Sequence, residues 1–303
     1  MPEAVTEPAP AKINPFLRVL GKRDDGYHEI ETLILPVTLA DGVQAVPADD
    51  LRLAVVGDLA GDVPPGEDNL VLKAAEALRK RTDEQRGAHL LLSKRTPVAA
   101  GLGGGSADAA ATLRALDRLW KLDLGIEELT VVAAEVGSDV PALLRVGPTL
   151  VRGRGELVEP ADLPKTWWVL VEQPFEVSSG DAYRWWDEGG ATGPDRGPLI
   201  EALAAGDVER AGALLFNDLE PGVSSRHPEV TEARKRLLGS GAQGAVMSGS
   251  GPTVAGLALD GPHAERLARV VVGTAAASVG FSRTHQGDEG SAAGIIGKRS
   301  GVV

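Results

Sequence analysis

A glycine-rich loop at residues 101–106 constrains the fold of this chain more than any other feature of its sequence. The segment Gly101-Leu102-Gly103-Gly104-Gly105-Ser106 places four glycines within five positions. Residues without a Cβ allow backbone N–H groups to converge on one ligand. Apolar side chains at Ala109, Leu113 and Leu116 follow at helical spacing, which predicts an amphipathic helix. Because a helix N-terminus attracts anions, the loop and the helix together predict a phosphate-binding site.

Three familiar kinds of glycine-rich segment fit these residues less well. A Walker A loop ends in Gly-Lys-Ser/Thr, which the segment lacks, and a dinucleotide-binding loop has glycine at the position of Ser106. A flexible linker is not normally bracketed by a proline, here Pro97, and a strongly patterned helix. The sequence therefore predicts phosphate binding and gives no support to hydride transfer.

Composition narrows the possible functions. The chain has 303 residues, is 43% hydrophobic and carries a formal net charge of −12. This length predicts about two domains, and the acidic excess argues against partners such as nucleic acid or anionic lipid. The absence of cysteine excludes disulfides, thiolate metal sites and cysteine nucleophiles. With no signal-peptide pattern and no long apolar run, the sequence predicts a cytoplasmic protein with no membrane partner.

Other catalytic classes find little support. The five histidines show no metal-ligand spacing, so we predict no metal site built from side chains. Ser250 lacks the Gly-x-Ser-x-Gly frame of serine hydrolases, because Ser248 occupies the first position.

Apolar periodicity predicts strands first and then a mixture of helices and strands. Alternation over residues 11–46, with turn signals at Gly21 and at residues 24–26, predicts antiparallel strands that place Lys12 and Asn14 on one face. The other predicted elements are a helix capped by Asp68 or Asn69 and ending near residue 81, helices over residues 106–120, 126–136, 199–216 and 228–238, strands over 89–93 and 168–171, a surface loop over 189–198, and a strand, glycine turn and strand over 242–259.

Changes in composition predict two domains and a tail. A polar, proline-bearing stretch at residues 159–165 is the predicted boundary. We therefore predict an N-terminal domain over residues 1–160, which contains the glycine loop, and a C-terminal domain over residues 161–284. Residues 285–303 are rich in Gly and Ser and predict an unassigned or disordered tail.

Several motifs in order along the chain resemble those of the GHMP kinases. Residues 97–107 resemble their phosphate loop, in the form with one extra glycine that is typical of members acting on a cytidine-diphosphate-linked sugar alcohol. Residues 10–14, Pro-Ala-Lys-Ile-Asn, resemble the first family motif, and residues 247–252, Met-Ser-Gly-Ser-Gly-Pro, resemble the third. Further matches lie at residues 26–28, 67–70 and 137–141, so the resemblance covers most of residues 10 to about 257.

The resemblance implies a fold and a reaction. The implied fold is α/β, with an N-terminal domain of the ribosomal protein S5 domain 2 type and a C-terminal ferredoxin-like α+β domain. The implied reaction is ATP-dependent phosphorylation of a hydroxyl of the cytidine-diphosphate-linked alcohol, in isoprenoid precursor synthesis outside the mevalonate route. The phosphate charges imply Mg²⁺ as well. The small-molecule substrate and ATP are the expected partners, and the protein is expected to be a monomer or homodimer.

Two alternatives remain at this point. One is a GHMP kinase for another alcohol, such as homoserine or mevalonate, against which stand the extra glycine and the pair Tyr27 and His28. The other is a nucleotide-binding protein without activity on the same scaffold. The presence of both Lys12 and Asp139 favours catalysis, because a binding protein needs neither.

The resemblance also assigns residues to the site. Lys12 and Asp139 are implied to be catalytic at the acceptor hydroxyl, although alone they would be interpreted as an exposed lysine and a helix-capping carboxylate. Tyr27 is implied to stack on the cytosine, and His28 to hydrogen-bond its edge. A second stacking residue is either Tyr183 or Trp185, and the pattern does not choose between them. The other implied substrate contacts are Asn14 and Asp181, and the implied ATP contacts are Pro97, Gly101, Leu102, Gly103, Gly104, Gly105, Ser106, Ala107, Asn69, Leu70, Lys94, Ser248, Gly249 and Ser250.

Overall fold

The structure is a computed structural model that describes residues 4–63 and 66–271 and the backbone of residues 277–281 and 295–296. It contains two compact units. Unit 1 consists of Met1–Ala11, Ala40–Val98 and Gly103–Val146, and unit 2 consists of Lys12–Leu39, Ala99–Leu102 and Gly147–Val303. Both units contain strands and helices. Within the described residues, no helix is both long and apolar enough to span a bilayer.

The bounds of the elements are as follows. The strands are β1 (Val5–Ile13), β2 (Phe16–Lys22), β3 (His28–Ala48), β4 (Leu51–Val56), β5 (Gly87–Ser93), β6 (Thr149–Gly153), β7 (Leu157–Pro160), β8 (Trp167–Val171), β9 (Phe216–Asn217), β10 (Gly244–Met247), β11 (Val254–Ala258), β12 (Ala277–Phe281) and β13 (Ile295–Ile296). The helices are α1 (Leu70–Thr82), α2 (Gly104–Trp120), α3 (Ile126–Val136), α4 (Val140–Leu144), α5 (Ser179–Asp187), α6 (Gly197–Ala204), α7 (Val208–Ala213), α8 (Glu220–Ser224), α9 (Pro228–Gly239) and α10 (Gly261–Val271).

Unit 1 combines a small sheet with a helical layer. The C-terminal part of β3 pairs antiparallel with β5, which pairs parallel with β4. Helix α1 begins where the Asn69 side chain accepts the N–H of Val71 at 2.9 Å, as the predicted cap requires. The predicted apolar face of α2 is confirmed, because Ala109, Leu113 and Leu116 are each 0% exposed. This burial fixes the direction in which the glycine loop enters α2.

Unit 2 contains two sheets. In the first, β2 pairs antiparallel with the N-terminal part of β3, which also pairs with β6, and β9 pairs parallel with β2. The second is antiparallel, in the order β10-β11-β8-β12-β13. Helices α9 and α10 pack on this sheet, and Val169, Leu237 and Leu267 lie in the core between them. The glycine turn between β10 and β11 therefore projects from a rigid sheet.

Two local predictions are wrong. The turn predicted at Gly21 is a bulge within β2, where the register with β3 shifts between Val19 and Gly21 and the φ of 152° suits glycine. The helical segment predicted over residues 199–216 is divided into α6 and α7. Gly206, with a φ of 68°, ends the first helix, and the Asp207 side chain caps the second by accepting the N–H of Arg210.

The predicted domain boundary and tail concern residues 159–165 and 285–303. The boundary after residue 160 stays a prediction. Apart from residues 295 and 296, whose backbone forms β13, the tail predicted as unassigned or disordered lies outside the described residues.

Candidate active site

In unit 1, the glycine loop ends in the first turn of α2, which is exposed at Gly105. Gly103 is the N-cap, with a φ of 65°. The amides of Gly104, Gly105 and Ser106 occupy the first turn, where a helix provides no acceptor of its own. The first intrahelical bond runs from the Ala107 N–H to the Gly103 carbonyl at 2.9 Å. Since Gly105 is exposed and Ser106 half-buried, these donors suit an anion.

Gly104 is packed against the interior of unit 1. A Cβ at this position would lie 2.9 Å from Thr96 Cγ2 and 3.0 Å from Lys94 Nζ. Glycine therefore allows the start of α2 to approach a buried lysine. At Gly105, by contrast, a Cβ would meet only Leu70 Cδ1 at 3.4 Å.

Lys94 is the centre of a buried ionic cluster. Its Nζ donates to Asp41 Oδ2 and to Asp108 Oδ2, each at 2.7 Å, and its side chain is 2% exposed. Asp41 Oδ1 also accepts the N–H groups of Arg95 and Thr96. We refer to Lys94, Asp41 and Asp108 as the lysine cluster. It joins β3 and the residue after β5 to the second turn of α2.

Burial dominates the electrostatics of the lysine cluster. Burial, and then the neighbouring charge of Asp41, raise the pKa of Asp108 to about 8 against the opposing effect of Lys94. For Lys94, burial alone would lower the pKa, but Asp108 and Asp41 raise it. Asp108 Oδ1 and Thr96 Oγ1 are buried and have no hydrogen-bond partner among the described residues. Neither aspartate was predicted. Asp108 lies early in a helix, where an aspartate is also typical of an ordinary capping residue, and Asp41 lies in the distant strand β3.

In unit 2, Lys12 is a buried lysine. It is 4% exposed, and its Nζ donates to Asn14 Oδ1 at 2.8 Å and to the Gly101 carbonyl at 2.9 Å. Asn14 in turn donates to Thr32 Oγ1 at 2.8 Å, which fixes the direction of its amide. The Lys12 N–H also donates to the Leu102 carbonyl. Thus the exposed-lysine interpretation is wrong, and the first motif contacts the beginning of the glycine loop.

The second glycine turn contacts the same place. Ser248 Oγ donates to the Gly101 carbonyl at 3.0 Å. A Cβ on Gly101 would lie 2.2 Å from the Ser248 carbonyl, and one on Gly249 would lie 2.8 Å from Lys12 Nζ. The predicted first and third motifs therefore meet within unit 2. Ser250 lies beside them, with its Oγ 3.3 Å from Ser179 Oγ.

Asn217 anchors the second glycine turn and was not predicted. Its Nδ2 donates to the carbonyls of Met247 and Gly249, each at 2.8 Å, while its Oδ1 accepts the Leu219 N–H. A single buried amide thus fixes both sides of the turn. Its position in the two-residue strand β9, next to a segment predicted as helix, concealed it.

In unit 2, the His28 ring contacts two aromatic rings and a carboxylate. Its ring stacks on that of Tyr183, with centroids 4.8 Å apart, and contacts the edge of Trp186 at 5.7 Å. Its Nε2 lies 2.7 Å from Asp187 Oδ1, and Asp187 Oδ2 accepts from Lys22 Nζ at 2.6 Å. We refer to His28, Asp187 and Lys22 as the histidine cluster. Trp186, Asp187 and Lys22 were not predicted, because their contacts with His28 and with one another join distant parts of the chain.

The two candidate stacking residues occupy different surroundings. Tyr183 faces His28, whereas Trp185 lies under the guanidinium of Arg226, 4.9 Å from the ring centroid, and next to His227. Tyr27 is 51% exposed, with the guanidinium of Arg154 5.1 Å from its ring centroid. Tyr27 therefore has ring surface available to a ligand.

The remaining predicted residues have local roles. Leu70 opens α1 directly after its cap, and Pro97 is half-buried ahead of the loop. Asp181 accepts from Arg184 Nη2 at 2.6 Å. Asp139 stands at the N-cap of α4 but makes no capping hydrogen bond to it, so the capping interpretation of its side chain is not supported.

Comparisons with known proteins show the family to which the chain belongs. Residues 69–147 match the family described as GHMP kinases N terminal domain, and residues 199–275 match GHMP kinases C terminal. The 4-diphosphocytidyl-2-C-methyl-D-erythritol kinase of Pelotomaculum thermopropionicum is 45% identical over 268 residues, which is 87% of this chain and 92% of the relative. The enzyme of the same name from Gloeobacter violaceus is 38% identical over 285 residues, or 92% and 93% of the two chains.

Solved structures are similar as well. A crystal structure of 4-(cytidine 5'-diphospho)-2C-methyl-D-erythritol kinase aligns with a TM-score of 0.79 at 35% identity, covering 92% of this chain and 99% of that one. A homoserine kinase from Cytophaga hutchinsonii aligns with a TM-score of 0.75 at 20% identity, covering 94% and 96%. The predicted α/β fold, with its S5 domain 2-like N-terminal and ferredoxin-like C-terminal domains, is confirmed.

Proposed function

The chain belongs to the GHMP kinase family, and from this premise we propose that it phosphorylates 4-diphosphocytidyl-2-C-methyl-D-erythritol with ATP, giving the 2-phosphate. The reaction serves isoprenoid precursor synthesis outside the mevalonate route. The observation that carries the proposal is 45% identity to an enzyme of this name over 92% of its length. Homoserine and mevalonate kinases align at only 20% and 16% identity, which supports a shared fold alone. A cytoplasmic location belongs to the same proposal.

ATP phosphates are assigned to the first turn of α2. The amides from Gly103 to Ser106 and the helix dipole supply donors and partial positive charge, whereas the Ala107 N–H, predicted as a further contact, already donates to the Gly103 carbonyl. Mg²⁺ offsets the charge of the β- and γ-phosphates when it is bound. An ion held mainly by phosphate oxygens and water needs few protein ligands. The Ser106 hydroxyl, half-buried in this turn, is the side chain that fits beside it.

Asp139 and Lys12 are assigned to the chemical step. An aliphatic hydroxyl is far less acidic than a carboxylic acid, so Asp139 does not remove its proton before attack. Phosphoryl transfer has a loose transition state in which this proton leaves late. Asp139 therefore accepts the hydrogen bond of the hydroxyl, orients it, and takes the proton as the new P–O bond forms. Lys12, which is buried and cationic, offsets charge on the phosphoryl group in transfer.

The cytidine end of the substrate is assigned to Tyr27 and His28. The exposed ring surface of Tyr27 supports base stacking, and His28 supports hydrogen bonding to the base edge. Tyr183, which contacts His28, is the better candidate for the second aromatic contact than Trp185, which contacts Arg226 instead. Asn14 and Asp181 complete the proposed substrate contacts.

One assay tests the proposed function. ADP release is measured with the purified protein, ATP, Mg²⁺ and each of three alcohols, namely the cytidine-linked methylerythritol, homoserine and mevalonate. We expect turnover with the first alone. Equal or greater kcat/KM with homoserine or mevalonate would contradict the substrate assignment, and ATP binding without turnover of any alcohol would favour the inactive nucleotide-binding alternative.

A further inference from the structure

The imidazole of His28 is held by three residues on one face of α5. Tyr183 stacks on the ring with an interplanar angle of 18°, Trp186 meets it edge-on at 88°, and Asp187 binds Nε2 at 2.7 Å. Their spacing of three and four residues places the three side chains on a common helix face. The plane of the ring and one of its nitrogens are therefore fixed by α5.

Asp187 determines which nitrogen of the neutral ring carries the proton. Its hydrogen bond with His28, and then that with Lys22, lower the pKa of Asp187. The ionised carboxylate can only accept hydrogen bonds, so Nε2 of His28 is the donor. Nδ1 then carries a lone pair and acts as an acceptor. Among the described residues, the hydrogen-bond partner of this ring is Asp187.

We propose that Asp187 is a positioning residue that makes His28 select cytosine over uracil. The inference rests on the proposed function, in which His28 faces the base edge. Cytosine presents an amine donor at the position where uracil presents a carbonyl oxygen. A lone pair on Nδ1 accepts from the amine and opposes the carbonyl. Sites that pair with a substrate N–H discriminate strongly against an analogue that lacks it, because their own polar group is left unpaired.

The test compares cytidine- and uridine-diphosphate-linked methylerythritol as substrates. An asparagine at position 187 either accepts from Nε2 or donates to it, so Asp187→Asn preserves shape while releasing the tautomer. We expect kcat/KM for the cytidine substrate to fall about 3- to 15-fold, the scale of one hydrogen bond. The uridine substrate should not lose activity, so the selectivity ratio falls by a similar factor. The KM for ATP should stay within about twofold. Asp187→Ala should also lower the ratio of kcat/KM for the cytidine substrate to that for the uridine substrate.

The control is Glu188→Gln, which changes the adjacent carboxylate. Glu188 pairs with Arg226 rather than with His28, so this variant should keep the wild-type ratio. An unchanged ratio in both Asp187 variants, or equal losses with both substrates, would overturn the inference and leave the proposed function intact. Failure of the wild type to phosphorylate the cytidine substrate would overturn the proposed function, and the inference with it.

Discussion

The lysine cluster of unit 1 and the histidine cluster of unit 2 use similar charge pairs in opposite surroundings. Lys94 is 2% exposed and Asp41 0%, whereas Lys22 is 56% exposed and Asp187 26%, although the His28 side chain that Asp187 contacts is 8% exposed. Burial raises the pKa of Asp108, while hydrogen bonds from His28 and Lys22 lower that of Asp187. Similar charge pairs therefore shift the pKa of an aspartate in opposite directions, and the extent of burial decides the direction. The buried cluster should control stability, and the exposed one should control binding.

We expect the largest effect from a change at Asp139, which lies in neither cluster. Its loss of kcat is the reference for the effects of changes in the two clusters. Asp139→Asn keeps the shape of the side chain but loses the proton acceptor. We expect kcat to fall by about 10² to 10⁴ with little change in ATP affinity. Lys12→Ala should lower kcat comparably, and the double variant should lose less than the product of the two. A single-turnover rate for Asp139→Asn within about threefold of wild type would rule out this role.

Removal of the buried cation should have the next largest effect. Lys94→Met removes the cation shared by the buried side chains of Asp41 and Asp108, which should lower the free energy of unfolding by about 3–5 kcal/mol. The matched variant in the exposed cluster, Lys22→Met, should cost less than about 1 kcal/mol. Urea denaturation measures both values.

A second variant separates the loss of a charge partner from the change of side-chain shape at position 94. The double change Lys94→Met and Asp108→Leu replaces the buried pair by apolar side chains and should recover part of the stability. Similar losses for Lys94→Met and Lys22→Met would show that burial does not separate the two clusters.

The histidine cluster should affect substrate binding alone. Tyr27, which precedes His28 in the chain, tests the same proposed cytosine contact. Tyr27→Ala removes a half-exposed ring and should raise the KM of the cytidine-linked substrate by about 5- to 150-fold, the range expected for loss of about 1–3 kcal/mol of base stacking. Thermal unfolding and the KM for ATP should change little. If both KM values rose together, Tyr27 would have a structural role.

Two neighbouring glycines of the phosphate loop differ in how closely they pack against the lysine cluster of unit 1. Gly104→Ala places a Cβ 3.0 Å from Lys94 Nζ and should cost about 1–3 kcal/mol of stability and weaken ATP binding. Gly105→Ala meets only ordinary contact and should stay within about 0.5 kcal/mol. Calorimetric titration with a nonhydrolysable ATP analogue measures the affinity for ATP, and urea denaturation measures the stability. Equal effects for the pair would show that packing at Gly104 does not control the loop.

The smallest expected effect is a slope of stability against pH. Because the pKa of Asp108 is raised to about 8, the folded state binds more protons at this residue than the unfolded state between about pH 4 and pH 8. Asp108 should therefore make the protein less stable as the pH rises through this window. Asp187 acts in the opposite sense, since its lowered pKa contributes stability that is lost in acid.

Asp108→Asn isolates that slope. The free energies of unfolding of the wild type and of Asp108→Asn are measured at several values from pH 5 to pH 8. As the pH increases, the wild type should lose stability relative to the variant. A difference that stayed constant would mean that Asp108 does not titrate in this range.

Sequence reasoning succeeded where structure is decided locally. The start of α2 and the cap of α1 follow from glycine conformation and capping within a few residues. Helix α2 begins at Gly104, two residues before the predicted start, and Asn69 is one of the two caps that the sequence offered. Gly21 was assigned wrongly because a glycine marks a bulge as well as a turn. Helix α10 was missed even though its buried positions repeat at helical spacing, so that signal was available in the sequence.

The supporting residues of the site were beyond local rules. Asp41 meets Lys94 across 53 positions of the chain, and Asp187 meets His28 across 159. Such pairs depend on strand pairing and helix packing, which no short motif specifies. The residues that contact the ligands were therefore proposed from motifs, whereas the residues that hold them in place emerged only from the fold.

The most direct test of the kinase assignment is phosphorus NMR of the product formed from ATP and the cytidine-linked methylerythritol. We expect one new phosphomonoester resonance from a phosphoryl group attached to the 2-oxygen of the substrate. The phosphomonoester should form in an amount equal to ADP, and the diphosphate of the substrate should stay intact. Release of inorganic phosphate and ADP without that phosphomonoester, or a phosphomonoester at another hydroxyl, would contradict the assignment.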